Sequence, residues 1–452
     1  MSNAQDYVPA ITGNNFITAD LYDRFNVKRG LRNADGTGVL VGLTRIGDVH
    51  GYIMDEGEKV PVPGKLYYRG IDVEDLVHAA SAEGRFGFEE TVYLLLFGHL
   101  PSVDQLEKFC ALIGTSRLLP NKFAEDSIMT APSSDIMNKL ARSVLTLYSY
   151  DDDPENRSVE NVLRQCIELI ARFPTIVAYG YMAKKHYYDH ESLIIHVPES
   201  SGQSAETILS LIRPDQQFTR LEAETLDLSL ILHAEHGGGN NSTFAVHLVS
   251  SADTDTYAAI AAGIGSLKGF KHGGANIKVM GMIEDIKRHV SHWDDEGEVA
   301  DYLKQILNGE TYDHTGLIYG QGHAVYTKSD PRALLLRDKA AALAAEKQHT
   351  GTHGDLIQEF NLYHLIEELA PLLIKQVKGL DKDICTNVDF YSGFVYKMLG
   401  IPHELFTPLF AVSRVAGWCA HRMEEIISGG RIIRPAYKCV QKRLAYTPLG
   451  DR

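Results

Sequence analysis

Cysteine is scarce and unpatterned in this chain: Cys110, Cys166, Cys385, Cys419 and Cys439 are odd in number, scattered, and show no C-x-x-C spacing. This excludes a disulfide framework and a paired-cysteine zinc site, and it fits a reducing compartment. Positive charge is also in deficit. Lys and Arg total 44 against 59 Asp and Glu, a formal charge of −15, with no long basic run, so neither a nucleic-acid surface nor an anionic-membrane surface is expected. Apolar runs stop short of a membrane span, and Met1 to Asp20 holds no apolar core flanked by basic residues. The expected location is therefore cytoplasmic. Low-complexity segments and fixed-period repeats are missing as well.

What is present is a chain of 452 residues, 44% hydrophobic and 23% charged, the balance of a packed protein with room for two or three domains. Helical periodicity dominates from about Asp75 onward, and strand-like alternation is short and confined to the N-terminal part, for example Gly38–Leu43 and Lys65–Tyr68, so the expected class is mainly α with short strands near the N-terminus. Phe88–Phe97 reads as an apolar helix closed by Gly98, and Glu160–Tyr179 as another, kinked at Pro174. A polar connection covers Tyr148–Arg157 and a loop-rich break His186–Ser204. A helical stretch through Leu221–His236 should end at Gly237-Gly238-Gly239, and a further helix is expected over Asn276–Val290. Asp330-Pro331 places a capping residue and a first-turn proline at the start of the Ala-rich helix running toward Lys347.

Several residues sit where their chemistry is hard to explain by packing. Arg332 occupies a helix's first turn, where the macrodipole disfavours a cation; either it reaches into water or it holds an anion. Arg414 lies in the stretch Leu405–Cys419, which is apolar on nearly every side, with Phe410 and Trp418 four residues away in each direction. A buried guanidinium needs an anionic partner, either a carboxylate of the chain or one carried by a ligand. His236, His272 and His323 each adjoin glycines, and a ring at a helix N-terminus, as His272 would be, is kept neutral and able to donate a hydrogen bond. His233 and His236, three apart, raise a metal reading that lacks both the H-E-x-x-H pattern and an obvious third ligand. Asp389 precedes an apolar helix and reads first as a cap, in competition with Ser392.

Taken in order, these segments resemble the citrate synthase family. The blocks are His233-Ala-Glu-His-Gly-Gly-Gly-Asn-Asn-Ser-Thr243, Leu267-Lys-Gly-Phe-Lys-His-Gly-Gly-Ala-Asn276, Gly320-Gln-Gly-His-Ala-Val-Tyr-Thr-Lys-Ser-Asp-Pro-Arg332, Asn387-Val-Asp-Phe-Tyr-Ser-Gly393 and Val412-Ser-Arg414. The likeness extends upstream to Leu66–Leu76 and Tyr93–Pro101 and downstream to Arg434-Pro435. It implies a largely helical homodimer with a large domain, residues 1–274 and 391–452, and a smaller closing domain, residues 275–390. His272 then matches the residue that stabilises the enol or enolate of the acyl-CoA, Asp389 the base that removes its methyl proton, and His323 the residue that polarises the oxaloacetate carbonyl. His236, Arg332 and Arg414 match oxaloacetate ligands, and Arg434 looks like the arginine supplied by the second subunit. Many relatives carry a basic residue four positions after the one matched by His323; Thr327 stands there in this chain, and Lys328, which follows, is assigned to the CoA phosphates.

The resemblance implies condensation of acetyl-CoA with oxaloacetate followed by hydrolysis of citryl-CoA, with no metal and no tightly bound cofactor. A thioester is a weak carbon acid, so proton removal needs a base on one side and a donor for the enolate oxygen on the other. A dicarboxylate electrophile calls for guanidiniums. The alternative within the family is 2-methylcitrate synthesis from propionyl-CoA, since one methylene changes selectivity by only about 1–3 kcal/mol. A metal-dependent hydrolase on His233 and His236 and a non-catalytic helical scaffold stand as readings from other classes.

Overall fold

The computed structural model describes residues 8–33, 36–56, 58–348 and 355–451. Two compact units divide at Leu43 and Thr44. The first carries the short helices Val8–Asn15 and Ala19–Arg24 and a lone bridge between Arg32 and Gly38. The expected strand over Gly38–Leu43 is not formed. Leu40 and Leu43 are 84% and 90% exposed, and alternation without a partner edge leaves backbone groups to water rather than to a ladder.

In the second unit β1 (Gly47–Asp55) and β2 (Glu58–Tyr68) pair antiparallel, with Gly47 opposite Tyr68 and a register shift between His50 and Tyr52. The short β3 (Ile71–Asp72) adds to the far end of β2. The alternation at Lys65–Tyr68 is thus the inner end of a longer strand, whose Leu66 and Tyr68 are buried. Among the described residues every named element after it is helical, and no helix is long and apolar enough to cross a membrane.

The helix Phe406–Ser428 is the axis of this unit. It packs on Val159–Tyr188, Asn241–Ser250, Phe88–Phe97, Thr256–Leu267 and Arg220–His233, and every residue from Ala411 to Met423 is buried. A helix that is apolar all round is a helix surrounded by others. The Val159–Tyr188 helix runs on through the buried Pro174 and ends nine residues beyond the expected Tyr179. Arg220–His233 starts with a Thr219–Glu222 capping box and stops before Glu235 and His236, which places those two residues in the turn that follows rather than on the expected helix.

A second helical group comprises Ala275–His289, Glu296–Leu307, Pro331–Gln348, Leu356–Lys378 and Asp389–Met398. Pro331–Gln348 packs on both Leu356–Lys378 and Asp389–Met398, and Ala275–His289 also lies on Asp389–Met398. The Asp389–Met398 helix carries this packing through residue 390. As expected from Asp330-Pro331, the Asp330 carboxylate accepts the Arg332 N–H at 3.0 Å.

Candidate active site

Asp330 does more than cap. Its carboxylate takes Arg332 Nε at 3.0 Å and Nη2 at 2.8 Å, so the cation in the helix's first turn is held by a two-point ion pair within three residues of chain. Burial opposes the charge of Arg332 and Asp330 outweighs it. Arg414 is compensated in a different way. It is 0% exposed; its Nε donates to the His233 carbonyl at 2.6 Å, its Cζ lies 4.7 Å from the Phe410 ring centre, and both Nη atoms are buried without a hydrogen-bond partner. Among the described residues no carboxylate closes on it. Burial and the nearby Arg332 lower its pKa to about 10, against the pull of Glu235 and Asp389.

The three histidines come from three segments. His323 Nδ1 accepts the backbone N–H groups of Val325 and Tyr326, both at 3.0 Å, so the ring's proton belongs on Nε2. His323 stacks on Tyr326 with centres 4.6 Å apart, and His236 meets His323 edge-on at 5.2 Å. His236 Nε2 is buried without a partner. Burial, then Arg332, His323 and Arg414, hold His236 well below the usual imidazole range. His272 lies in the turn before Ala275–His289, its Nε2 3.0 Å from Ser242 Oγ. Burial, followed by Arg414, lowers its pKa to about 4, so it is a neutral ring at physiological pH.

Asp389 opens its helix without capping it: its own N–H donates to Asn387 Oδ1 at 3.1 Å, and the cap position belongs to Val388. Burial, reinforced by Asp330 and opposed by Arg332 and Arg414, raises the carboxyl pKa to about 6. Its loop is stitched to that of His323. Gly322 N–H donates to Cys385 O at 2.8 Å, Asn387 N–H to Gly320 O at 2.9 Å, and Asn387 Nδ2 to Gly322 O at 2.9 Å. Gly320 has φ +81°, and a Cβ there would fall 2.6 Å from the Phe390 ring, so only glycine lets the two loops close.

His236, His323, Arg332, Arg414 and Asp389 thus gather in one region, the two guanidiniums buried and the others half-buried, with His272 at its side. Two other sequence-predicted residues stay outside it: Lys328 is exposed, and Arg434 is exposed in the irregular segment after Ser428. The metal reading loses its basis, because His233 stacks on Phe410 at 4.4 Å and the one cluster of three possible ligands among the described residues is His247, His421 and Glu424, which excludes both His233 and His236. Sequence reasoning passed over Ser242, Tyr326 and Asn387. All three lie inside the quoted blocks, but nothing in their spacing signals that a hydroxyl, a ring or an amide would serve a histidine or an aspartate from another segment.

Residues 33–436 match the family model described as citrate synthase, C-terminal domain. The chain is 32% identical to a citrate synthase of Haloferax volcanii, over 94% of this chain and 99% of that one. It is also 32% identical to a 2-methylcitrate synthase of Shewanella oneidensis, over 82% and 87%. Among solved structures it resembles a citrate synthase from Pyrobaculum aerophilum with a TM-score of 0.72 and 30% identity, covering 92% of this chain and 94% of that one. It also resembles a Thermoplasma acidophilum citrate synthase in ternary complex with carboxymethyl coenzyme A and oxaloacetate, with a TM-score of 0.75 and 25% identity over 94% of this chain and 99% of that one.

The compensation pattern predicts the outcome of two stability measurements. Asp389→Asn should raise the thermal midpoint at pH 8, by the equivalent of about 1–2 kcal/mol, because the wild-type carboxyl is ionised there against its raised pKa. The gain should shrink as pH falls through 6 and vanish below about 4, where the carboxyl is protonated in both the folded and unfolded states. Arg414→Met should leave the midpoint nearly unchanged or raise it, whereas breaking a buried ion pair would cost about 3–5 kcal/mol. Placed beside the buried guanidiniums, the neutral imidazoles and the raised carboxyl, the match over nearly the whole chain means that this protein belongs to the citrate synthase family of condensing enzymes.

Proposed function

We propose that the chain condenses acetyl-CoA with oxaloacetate and hydrolyses the citryl thioester, with Asp389 as the base, His272 as the enolate donor and His323 as the carbonyl donor. The observation that carries this reading is the pair of unpartnered Arg414 Nη atoms: a buried cation fork with nothing of the protein to bind, beside a carboxyl raised to about 6, is a place for a ligand carboxylate next to a base.

Each residue's part follows from its surroundings. A carboxylate that burial makes reluctant to ionise is a stronger base than an exposed one, yet at neutral pH it is still deprotonated. Ser242 Oγ accepts Trp418 Nε1–H at 3.2 Å and has one hydrogen to give, for which Asn240 Oδ1 at 2.9 Å and His272 Nε2 at 3.0 Å compete. Directed at His272 Nε2, that hydrogen leaves the ring's own proton on Nδ1 for the enolate oxygen. His323, protonated on Nε2 by the count of its Nδ1 bonds, donates to the oxaloacetate carbonyl as the carbon nucleophile arrives. A neutral donor suits this step because it stabilises a developing alkoxide without giving up its proton first. Arg414 and His236 Nε2 take the dicarboxylate directly. Arg332 keeps Asp330 as its own partner and adds a second positive charge to the same region.

The finer assignments belong to the same reading. Exposed Lys328 is assigned to the CoA phosphates, and Arg434, exposed after the axial helix, to the active site of a second copy, which would make the working unit a homodimer. Residues 275–390, with the rest of the Asp389–Met398 helix, form the domain that closes over the substrates. The location is cytoplasmic.

Thiol release from acetyl-CoA should require oxaloacetate, and the same assay with propionyl-CoA ranks the two acyl groups. A faster propionyl rate would make the protein a 2-methylcitrate synthase, and release without oxaloacetate would make it a thioesterase. Asp389→Asn should lower turnover by roughly 10²–10⁴ while oxaloacetate binding survives. In the wild type, kcat/KM for acetyl-CoA should fall about tenfold per pH unit below about 6, since the base must be ionised; a profile flat to pH 5 would remove Asp389 from that role. Arg414→Ala should raise the KM for oxaloacetate by at least about tenfold with little change for acetyl-CoA.

A further inference from the structure

The turn that carries His236 is fixed by a second buried charge that the reaction does not use. Arg414, Gly417 and His421 lie at i, i+3 and i+7 of the Phe406–Ser428 helix and so share one face. Each engages a successive part of the turn after His233. Arg414 Nε donates to His233 O at 2.6 Å, Gly417 N–H donates to Ala234 O at 3.2 Å, and His421 Nε2–H donates to Glu235 Oε1 at 3.0 Å. His421 and the Glu235 side chain are both 0% exposed.

The surroundings are shaped around that carboxylate. A Cβ on Gly417 would lie 2.3 Å from Glu235 Oε2, and one on Gly47 would lie 2.8 Å from Glu235 Cγ, so β1 and the axial helix both leave the space open. Tyr68 OH donates to Glu235 O at 3.1 Å. Because Glu235 Oε1 only accepts, His421 carries its proton on Nε2. In the neutral ring Nδ1 then accepts from His247 Nε2, 2.9 Å away. His247 Nδ1 in turn faces Glu425 Oε2 at 3.4 Å. Glu235 Oε2 has no partner, and burial, which disfavours its charge, is outweighed by His421 and Arg414. A staple for a turn could be made of neutral groups at lower desolvation cost; this one places an anion behind the cation that awaits the substrate.

We propose that Glu235 and His421 are positioning residues for dicarboxylate binding: their hydrogen bond registers the turn on the axial helix, so that His236 Nε2 and the Arg414 Nη atoms stay aimed at one ligand. The inference rests on the reading that those two residues bind oxaloacetate. His247 acts one step further out, by fixing the tautomer of His421.

The test compares His421→Leu, which keeps bulk without a donor, with His421→Gln, whose amide can donate toward Glu235, and with Glu235→Gln. His421→Leu should raise the KM for oxaloacetate about tenfold or more, with the KM for acetyl-CoA and kcat changed less than about threefold, and His421→Gln should recover most of the loss. Combining His421→Leu with Glu235→Gln should be little worse than either alone, because both remove the same contact. Equal rises in both KM values, or a glutamine variant as impaired as the leucine one, would overturn the proposal. Should the leucine variant fail to fold, an unchanged oxaloacetate KM in Glu235→Gln would overturn it as well. Oxaloacetate binding by calorimetry on the same proteins separates the two levels. A wild-type chain that binds oxaloacetate but releases no thiol overturns the condensation reading alone, normal binding by His421→Leu overturns the positioning pair alone, and no binding by the wild type overturns both.

Discussion

Positive charge buried without a full set of partners is the constraint on which this structure turns. Two guanidiniums share one region, and the chain treats them unequally. Arg332 receives a local carboxylate two residues before it and is neutralised at once. Arg414 receives a carbonyl, a ring face and a carboxylate that does not touch its Nη atoms. An unpaired buried cation is costly, so the surrounding helices must supply the difference through packing. The all-round burial of Ala411–Met423 is the form that supply takes.

The same field orders the protonation states of its neighbours. Imidazoles near two guanidiniums stay neutral, and a carboxyl in the same place is pulled two ways, upward by burial and Asp330 and downward by the arginines. Burial is the larger influence on Asp389, and the result is a carboxyl poised about one unit below neutral pH. A site assembled from neutral donors, one reluctant carboxylate and an unsatisfied fork is electrically incomplete until a dianion arrives, which makes substrate part of its electrostatic balance.

Much of this was legible in the chain. Helical class followed from periodicity, the Asp330-Pro331 start from cap chemistry, and the oddity of Arg414 from a charge amid apolar residues. Lone alternation misled at Gly38–Leu43, because a strand is defined by its partner and period alone names none. The end of the Arg220–His233 helix was placed too late, since Ala234 and Glu235 have good helix propensity and the interactions that pull them off the helix come from residues of the axial helix far along the chain. For the same reason Arg332 showed its awkward place in the sequence but not its two-point pairing, and Ser242, Asn387 and the His421–Glu235 pair gave no local sign. Periodicity records which face is buried; which polar atoms meet there depends on the tertiary crossing.

The stitched loops at 320–322 and 385–387 have a kinetic meaning. They tie the loop of His323 to the loop of Asp389, while His272 is carried on another segment. On the roles proposed for these two residues, proton abstraction is yoked to readiness for carbon–carbon bond formation: a displacement that brings Asp389 to the thioester brings His323 with it. An enzyme wired in this way would not generate a carbanion in the absence of its acceptor's activator, and the coupling would be written in three hydrogen bonds between the loops rather than in any catalytic side chain.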